Sequence, residues 1–328
     1  MKFNKTNRKY SLLALALAIV LAAAALAGCS GSGSASNGSS AEPAPAPQEP
    51  SADSGNQGAG DKSITVGSKN FAENQIVARI IQYALEDSGY KVSYIDNLEG
   101  DVLQAAIETG EIDLYPEYTN TGLTRILHLD PIFDTQEAYD TVKEKYAETY
   151  NIKWLEPSSV NNTYTLVVSK KTADGLGLKT FSDLQAVSGE IRAAQGWDWN
   201  DRPDILPALE ATYGPFNFKD ATIYSGKLTY QVLLSDEGDL TIGYTTDPEL
   251  EDENLVSLAD DKQVWPPYNL VPIVKQEALD KYPDIEDIIN KITKTLSTEK
   301  QIQLNADVVT RHEEVEDVAR AYYEENIK

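Results

Sequence analysis

Beyond about residue 62 the chain alternates short β-branched runs with stretches of helical period, and that alternation restricts it to the α/β class. Residues 64–66 read as a strand that ends at Gly67. A helix is expected from about Phe71, with Asn70 and Glu73 spaced as a capping pair. Ile76, Val77, Ile80, Ile81, Ala84 and Leu85 share one face of it, and Gly89 suits its end. Residues 91–95 read as a second strand. Residues 101–109 read as a second helix with Leu103, Ala106 and Ile107 inward and Gly110 as its stop. Residues 111–115 read as a third strand, ended by Pro116. The middle of the chain repeats this grammar. Strands are expected at 164–169, 190–194 and 240–244, and helices at 181–187 (capped by Thr180 or Ser182), 203–213 (proline at its start) and 227–235. A last strand is expected at 269–274, and from Gln276 onward the pattern is helical to the end.

One internal echo stands out. Residues 104–115 run through a helix, Gly110 and an acid into a strand, and residues 231–243 do the same around Gly238. Each strand leaves through a Tyr-Thr pair, Tyr118-Thr119 and Tyr244-Thr245. Ligands of open α/β sheets sit just beyond the carboxyl ends of strands, so two such exits facing each other would frame a cleft.

The first 28 residues carry Lys2, Lys5, Arg8 and Lys9, then an apolar run from Leu12 to Ala27. The run is shorter than the roughly 20 residues of a membrane span and has the form of a secretory signal peptide. Its exit, Leu26-Ala27-Gly28-Cys29, resembles the bacterial lipobox, which implies lipidation of Cys29, the single cysteine of the chain. Residues 29–62 are rich in Ser, Gly, Ala and Pro and read as a flexible tether spanning about 30 Å. The remaining 265 or so residues exceed one ordinary core, so two lobes are expected. Net charge is −24 over the whole chain, which argues against nucleic acid as a partner. The tether and the acidic surface suit a Gram-positive cell surface better than a periplasm.

Enzyme signatures are missing. There is no G-x-S-x-G and no G-x-G-x-x-G; Gly226-Lys227 is followed by Leu228, so it is no phosphate loop; and His128 and His312 stand in no metal spacing. No catalysis, cofactor or metal is expected. Tyrosine, by contrast, is abundant, with 18 against six Phe and four Trp. Four of them, Tyr118, Tyr164, Tyr244 and Tyr268, fall in turns rich in Pro, Asn and Thr. A quaternary ammonium donates no ordinary hydrogen bond and is held by aromatic faces, each worth about 0.5–2 kcal/mol.

Gly67-Ser-Lys-Asn-Phe71, the segment 111–122 with its Leu-Tyr-Pro-Glu-Tyr-Thr-Asn-Thr-Gly run, Asn161-Asn-Thr-Tyr164 and Pro266-Pro-Tyr-Asn269 resemble the osmoprotectant-binding proteins of ABC importers, the glycine betaine, carnitine and choline binders of ProX or OpuC type. The resemblance spans about residues 64–327. It implies an α/β clamshell of the type II periplasmic-binding-protein kind, each lobe a mixed sheet flanked by helices, with two crossovers. Lobe one would be 63–160 with 270–328, and lobe two 161–269. It implies a cage of Tyr118, Tyr164, Tyr244 and Tyr268. It further implies contacts to a ligand carboxylate from Lys69, Thr121 and Arg202, with Asn162 as another polar contact. Trp197 and Trp199, beside Arg202, would be a lid or packing. The implied partners are a small quaternary-ammonium solute, an ABC permease with its ATPase, and the membrane through the lipid anchor, with the protein a monomer. Choline, carnitine or an amino acid is the alternative ligand, and a lipid-anchored α/β enzyme the remote alternative.

Overall fold

The computed structural model describes residues 62–196, 199–226 and 228–328. The leader, Cys29 and all but the last residue of the tether, together with Trp197, lie outside the described residues.

Two five-stranded mixed sheets, each flanked by helices, make an α/β fold of two lobes. The first lobe opens with β1 (Ser63–Lys69), α1 (Ala72–Asp87), β2 (Lys91–Leu98), α2 (Gly100–Thr109) and β3 (Leu114–Tyr118). A short turn, α3 (Thr119–Thr121), runs into a wider helical coil over Gly122–Ile126; α4 (Thr135–Tyr150) and β4 (Ile152–Trp154) follow. The second lobe holds β5 (Tyr164–Ser169), α5 (Lys170–Leu176), α6 (Phe181–Ala186), β6 (Arg192–Gln195), α7 (Leu206–Tyr213), β7 (Asp220–Ile223), α8 (Leu228–Leu234), β8 (Leu240–Tyr244) and β9 (Leu255–Ser257). The chain then returns to the first sheet as β10 (Leu270–Lys275) and ends in α9 (Gln276–Lys281), α10 (Asp284–Thr293), α11 (Thr298–Val309) and α12 (Val315–Asn326).

The sheet orders, β2-β1-β3-β10-β4 and β7-β6-β8-β5-β9, correspond strand for strand. The sequence echo is the visible part of that correspondence. In each lobe an acid just before or at the head of the central strand holds the neighbouring parallel strand. Asp113 accepts from the Thr65 amide at 2.7 Å, and Asp239 accepts from the Arg192 amide at 2.8 Å.

Hydrophobic spacing reports the core well. Ile76, Val77, Ile80, Ile81 and Leu85 of α1 are fully buried against the first sheet and the C-terminal helices. Each such side chain stabilises the fold by about 1.5–3 kcal/mol. Capping chemistry sets α6, where Thr180 accepts from the Asp183 amide and Asp183 accepts from the Thr180 amide.

Several local expectations are corrected. Asn70 does not cap α1: Phe71 holds that position without a side-chain cap, and the Asn70 amide reaches Glu99 instead. Glu73 turns inward because a hydroxyl and two amides meet it there. Pro116 does not end β3. It sits inside the strand opposite Pro272 of β10. The flanking bonds, Thr119 N–H to Asn269 and Lys275 N–H to Asp113, put this pair in a non-hydrogen-bonded register, where neither proline is asked to donate to the other. The Pro116 carbonyl, turned the other way, takes the Asn74 amide at 2.8 Å. Pro203 lies ahead of α7, and Pro207 is the proline of its first turn. The C-terminal helical run is broken into four helices. An unforeseen helix, α4, is capped by Asp134 and buries Ala138, Val142 and Tyr146.

The two crossings between lobes run side by side. The Asn162 amide donates to the Tyr268 carbonyl at 3.0 Å, the Tyr268 amide to Asn161 Oδ1 at 2.7 Å, and the Leu270 amide to the Val160 carbonyl at 3.0 Å. This narrow ladder runs along the two crossings, next to the ends of both sheets.

Candidate functional site

The strand correspondence places four tyrosines at matching points. Tyr118 and Tyr244 end the central strands β3 and β8, Tyr164 begins β5, and Tyr268 precedes β10 by two residues. All four line one cavity of about 290 Å³ together with Phe71, Thr121, Asn162, Thr163, Arg202 and Asp204. A cavity of that size lies at the small end of ligand pockets.

Each ring is fixed by its neighbours. Tyr164 and Tyr244 face each other across the β5–β8 ladder, their rings 4.8 Å apart and 29° from parallel, with hydroxyls at 3.3 Å. Trp265 backs Tyr164 at 5.4 Å and donates its indole N–H to the Asp204 carbonyl at 2.8 Å. The exit of β8 is locked by Asp247, whose Oδ2 accepts from the Tyr230 hydroxyl at 2.6 Å and the Tyr244 amide at 2.8 Å. A side chain at Gly243 would collide with that Tyr230 hydroxyl, so only glycine fits. In the first lobe Phe71 stacks on Tyr118 at 6.2 Å. The Tyr118 hydroxyl donates to Glu73 Oε1 at 2.7 Å.

Tyr118, Tyr244 and Tyr268 are held as neutral phenols. Burial, reinforced by Glu73, pushes the Tyr118 hydroxyl well above its ordinary range; burial and the Tyr164 hydroxyl push Tyr244 up. The rings keep their electron-rich faces, and Tyr244 leaves 43 % of its surface open to the cavity mouth and solvent. Arg202 reaches the cage from a turn of the second lobe. It donates to the Tyr164 hydroxyl at 2.7 Å and bridges Asp204 at 2.5 Å. Asp204 is held below the usual carboxylate range, first by that guanidinium.

Of the expected contacts, Tyr118, Tyr164, Tyr244, Tyr268, Thr121, Asn162 and Arg202 all line this cavity. Lys69 does not. It is 7 % exposed and its ammonium is paired with the buried Glu117 at 2.5 Å, behind Tyr118. Among the described residues Glu117 otherwise accepts only from the Tyr118 amide and the Tyr115 hydroxyl, so it needs the cation where it is. Trp199 packs at 3 % exposure in the second-lobe core and is no lid. Sequence reasoning passed over Phe71, Asp204 and Glu73. Phe71 and Asp204 each lie within two residues of a site residue already singled out, a proximity that would have found them.

The segment 62–325 matches the family described as the substrate binding domain of ABC-type glycine betaine transport systems. The chain belongs to this family. It is a substrate-binding protein of an ABC transporter of the glycine betaine/carnitine type. Among relatives, the carnitine transport binding protein OpuCC of Listeria monocytogenes is 31 % identical over 273 residues, covering 82 % of this binding protein and 88 % of OpuCC. The glycine-betaine-binding protein of Pseudomonas aeruginosa is 30 % identical over 275 residues, covering 81 % and 88 %. A solved structure described as a glycine betaine/carnitine/choline ABC transporter superposes with a TM-score of 0.75 at 26 % identity, over 80 % of this chain and 97 % of that one.

Proposed function

We propose that the tyrosine cavity captures a quaternary-ammonium solute, glycine betaine or a close relative. We further propose that the protein hands it to a permease driven by a cytosolic ATPase, without chemical change. The observation that carries this reading is the convergence of Tyr118, Tyr164, Tyr244 and Tyr268, two flanking each sheet, on one small cavity with Arg202 at its side. Four ring faces suit a cation that offers no hydrogen bond. Arg202 would grip the carboxylate, exchanging Asp204 for the ligand, since a guanidinium holds carboxylates in a planar fork. Thr121 adds a hydroxyl to the same end. The two lobes, joined by paired crossings, would close over the solute. The lipobox-like exit at Cys29 supports an anchored monomer on the outer face of the membrane, with residues 29–62 as tether. The signal sequence and the class of importer support an extracytoplasmic position.

Calorimetric titration of the purified protein with glycine betaine, carnitine, choline and proline tests the reading. Binding of glycine betaine, weakened in Arg202→Ala and in Tyr118→Ala, is the expected result. Binding of none of the four would sink it.

A second ligand class has observations of its own. Lys69 is engaged by Glu117, Arg202 already shares Asp204, and the buried Asn162 Oδ1 has no hydrogen-bond partner among the described residues. A solute with a hydroxyl donor, choline or carnitine, would use that acceptor once a turn of the Asn162 side chain brings it to the cavity. Choline bound with betaine ignored would favour this class over the first.

A further inference from the structure

Behind the cage lies a carboxylate for which the pocket itself has no use. Glu73, in the first turn of α1, is 3 % exposed. Its Oε1 accepts from the Tyr118 hydroxyl at 2.7 Å and from the Asn162 amide at 3.0 Å, and its Oε2 from the Asn305 amide at 3.3 Å. The same Asn305 amide donates to the Thr246 carbonyl at 2.8 Å. These partners come from separate parts of the molecule: the end of β3, the first crossing, α11, and the second-lobe loop after β8. No basic side chain pairs with Glu73 in any contact of the described residues. A buried carboxylate without a counter-charge is costly unless its hydrogen bonds are complete, and here the Tyr118 hydroxyl and the Asn162 and Asn305 amides supply them.

We propose that Glu73 is a positioning residue of the ligand site, holding the Tyr118 ring in the cage and tying it to the second lobe through Asn162, Asn305 and Thr246. Tyr118 and Asn162 line the ligand cavity, while Thr246 and Asn305 line a neighbouring cavity of about 410 Å³ that also touches Glu73. Parting the lobes would break the Asn305–Thr246 bond and loosen the Asn305 amide that Glu73 shares, and with it the support of Tyr118. The cage is therefore complete only with the lobes together, which links occupancy of the cage to closure. A hydroxyl bonded to a carboxylate also enriches its ring, strengthening the face offered to a cation. The proposal rests on the tyrosine cavity being the ligand site.

The test is a double-mutant cycle on ligand affinity, with Glu73→Gln, Tyr118→Phe and the double variant of the full chain titrated with glycine betaine, choline and carnitine. Tyr118→Phe keeps the ring and removes only its hydroxyl. The bond to a charged acceptor is worth on the order of tenfold or more in affinity. Each single variant is expected to lose about that much, and the double no more than the worse single, because both break one bond. Losses that multiply, or an unchanged affinity in Glu73→Gln, would overturn the proposal. Should Glu73→Gln fail to fold by circular dichroism, Asn305→Ala keeps the Glu73–Tyr118 bond and cuts the tie to Thr246. It is expected to weaken binding severalfold and to widen the unliganded protein in small-angle scattering; no change in either would overturn the tie between lobes. If the native protein binds none of the three solutes, the cavity reading itself falls and the proposal with it.

Discussion

At the scale of single residues, the proposed site would divide into groups that face the ligand and groups that hold them. Tyr164 belongs to the first. Its removal in Tyr164→Ala should weaken binding of the preferred solute by about 1–2 kcal/mol, roughly tenfold, in a calorimetric titration. Lys69 belongs to the second. Breaking a buried ion pair from one side costs about 3–5 kcal/mol because the other charge stays behind. Lys69→Met should therefore lower stability in urea by about that amount, with a smaller effect on affinity than Arg202→Ala. Glu73 gives a pH signature. Burial raises its carboxyl above the ordinary 4.5, against hydrogen bonds from Tyr118, Thr246, Asn162 and Asn305 that pull it down. The folded protein thus holds that proton more tightly than the unfolded chain. Its buried charge costs stability at neutral pH, and the cost fades as pH falls through the raised value towards 4.5. Thermal melts of the native protein and Glu73→Gln should show the native protein gaining on the variant as pH drops from 7 to 5; a constant difference would refute the assignment.

Elements show where local chemistry suffices. Thr180 and Asp183 cap α6 reciprocally, far from the cavity, and Thr180→Ala should cost about 1 kcal/mol in urea while leaving ligand affinity unchanged. α1, β5, α6 and β8 were legible for the same reason: apolar spacing, a capping box and bounded β-branched runs are all local signals. Pro116 was misread because its tolerance depends on Pro272, a residue 156 positions away in sequence, being opposite it in a register where neither donates to the other. Asn70 and Glu73 had the spacing of a cap, yet no local signal records that Tyr118, Asn162 and Asn305 would offer Glu73 donors inside the fold. α4 went unread because only Ala138, Val142 and Tyr146 of its sixteen residues are buried, too sparse a stripe in a charged segment.

For the molecule as a whole, ligand binding is expected to stabilise both lobes together, since the cavity is walled by each. At a concentration of one hundred times Kd a ligand adds about 2.7 kcal/mol. In a protein of this size that is a rise of about 5–10 °C in Tm, which scanning calorimetry would detect with glycine betaine and should not detect with a non-ligand such as sucrose. Across α11 and the second lobe, Arg311 pairs with Glu251, an exposed bridge that salt should weaken and that contributes little by itself.

The sequence alone determined the α/β class, through local strand and helix periods, and two lobes, through a length beyond one core. The four tyrosines stood out in turns rich in Pro, Asn and Thr, and the family resemblance added Thr121, Asn162 and Arg202; all seven line one cavity. Only the tertiary structure decided that Lys69 serves Glu117 rather than the pocket, that Arg202 carries Asp204 with it, and that Glu73 draws donors from Tyr118, Asn162 and Asn305. Each of those outcomes is a contest for a buried charge among groups distant in sequence, and burial exists only once the chain is packed.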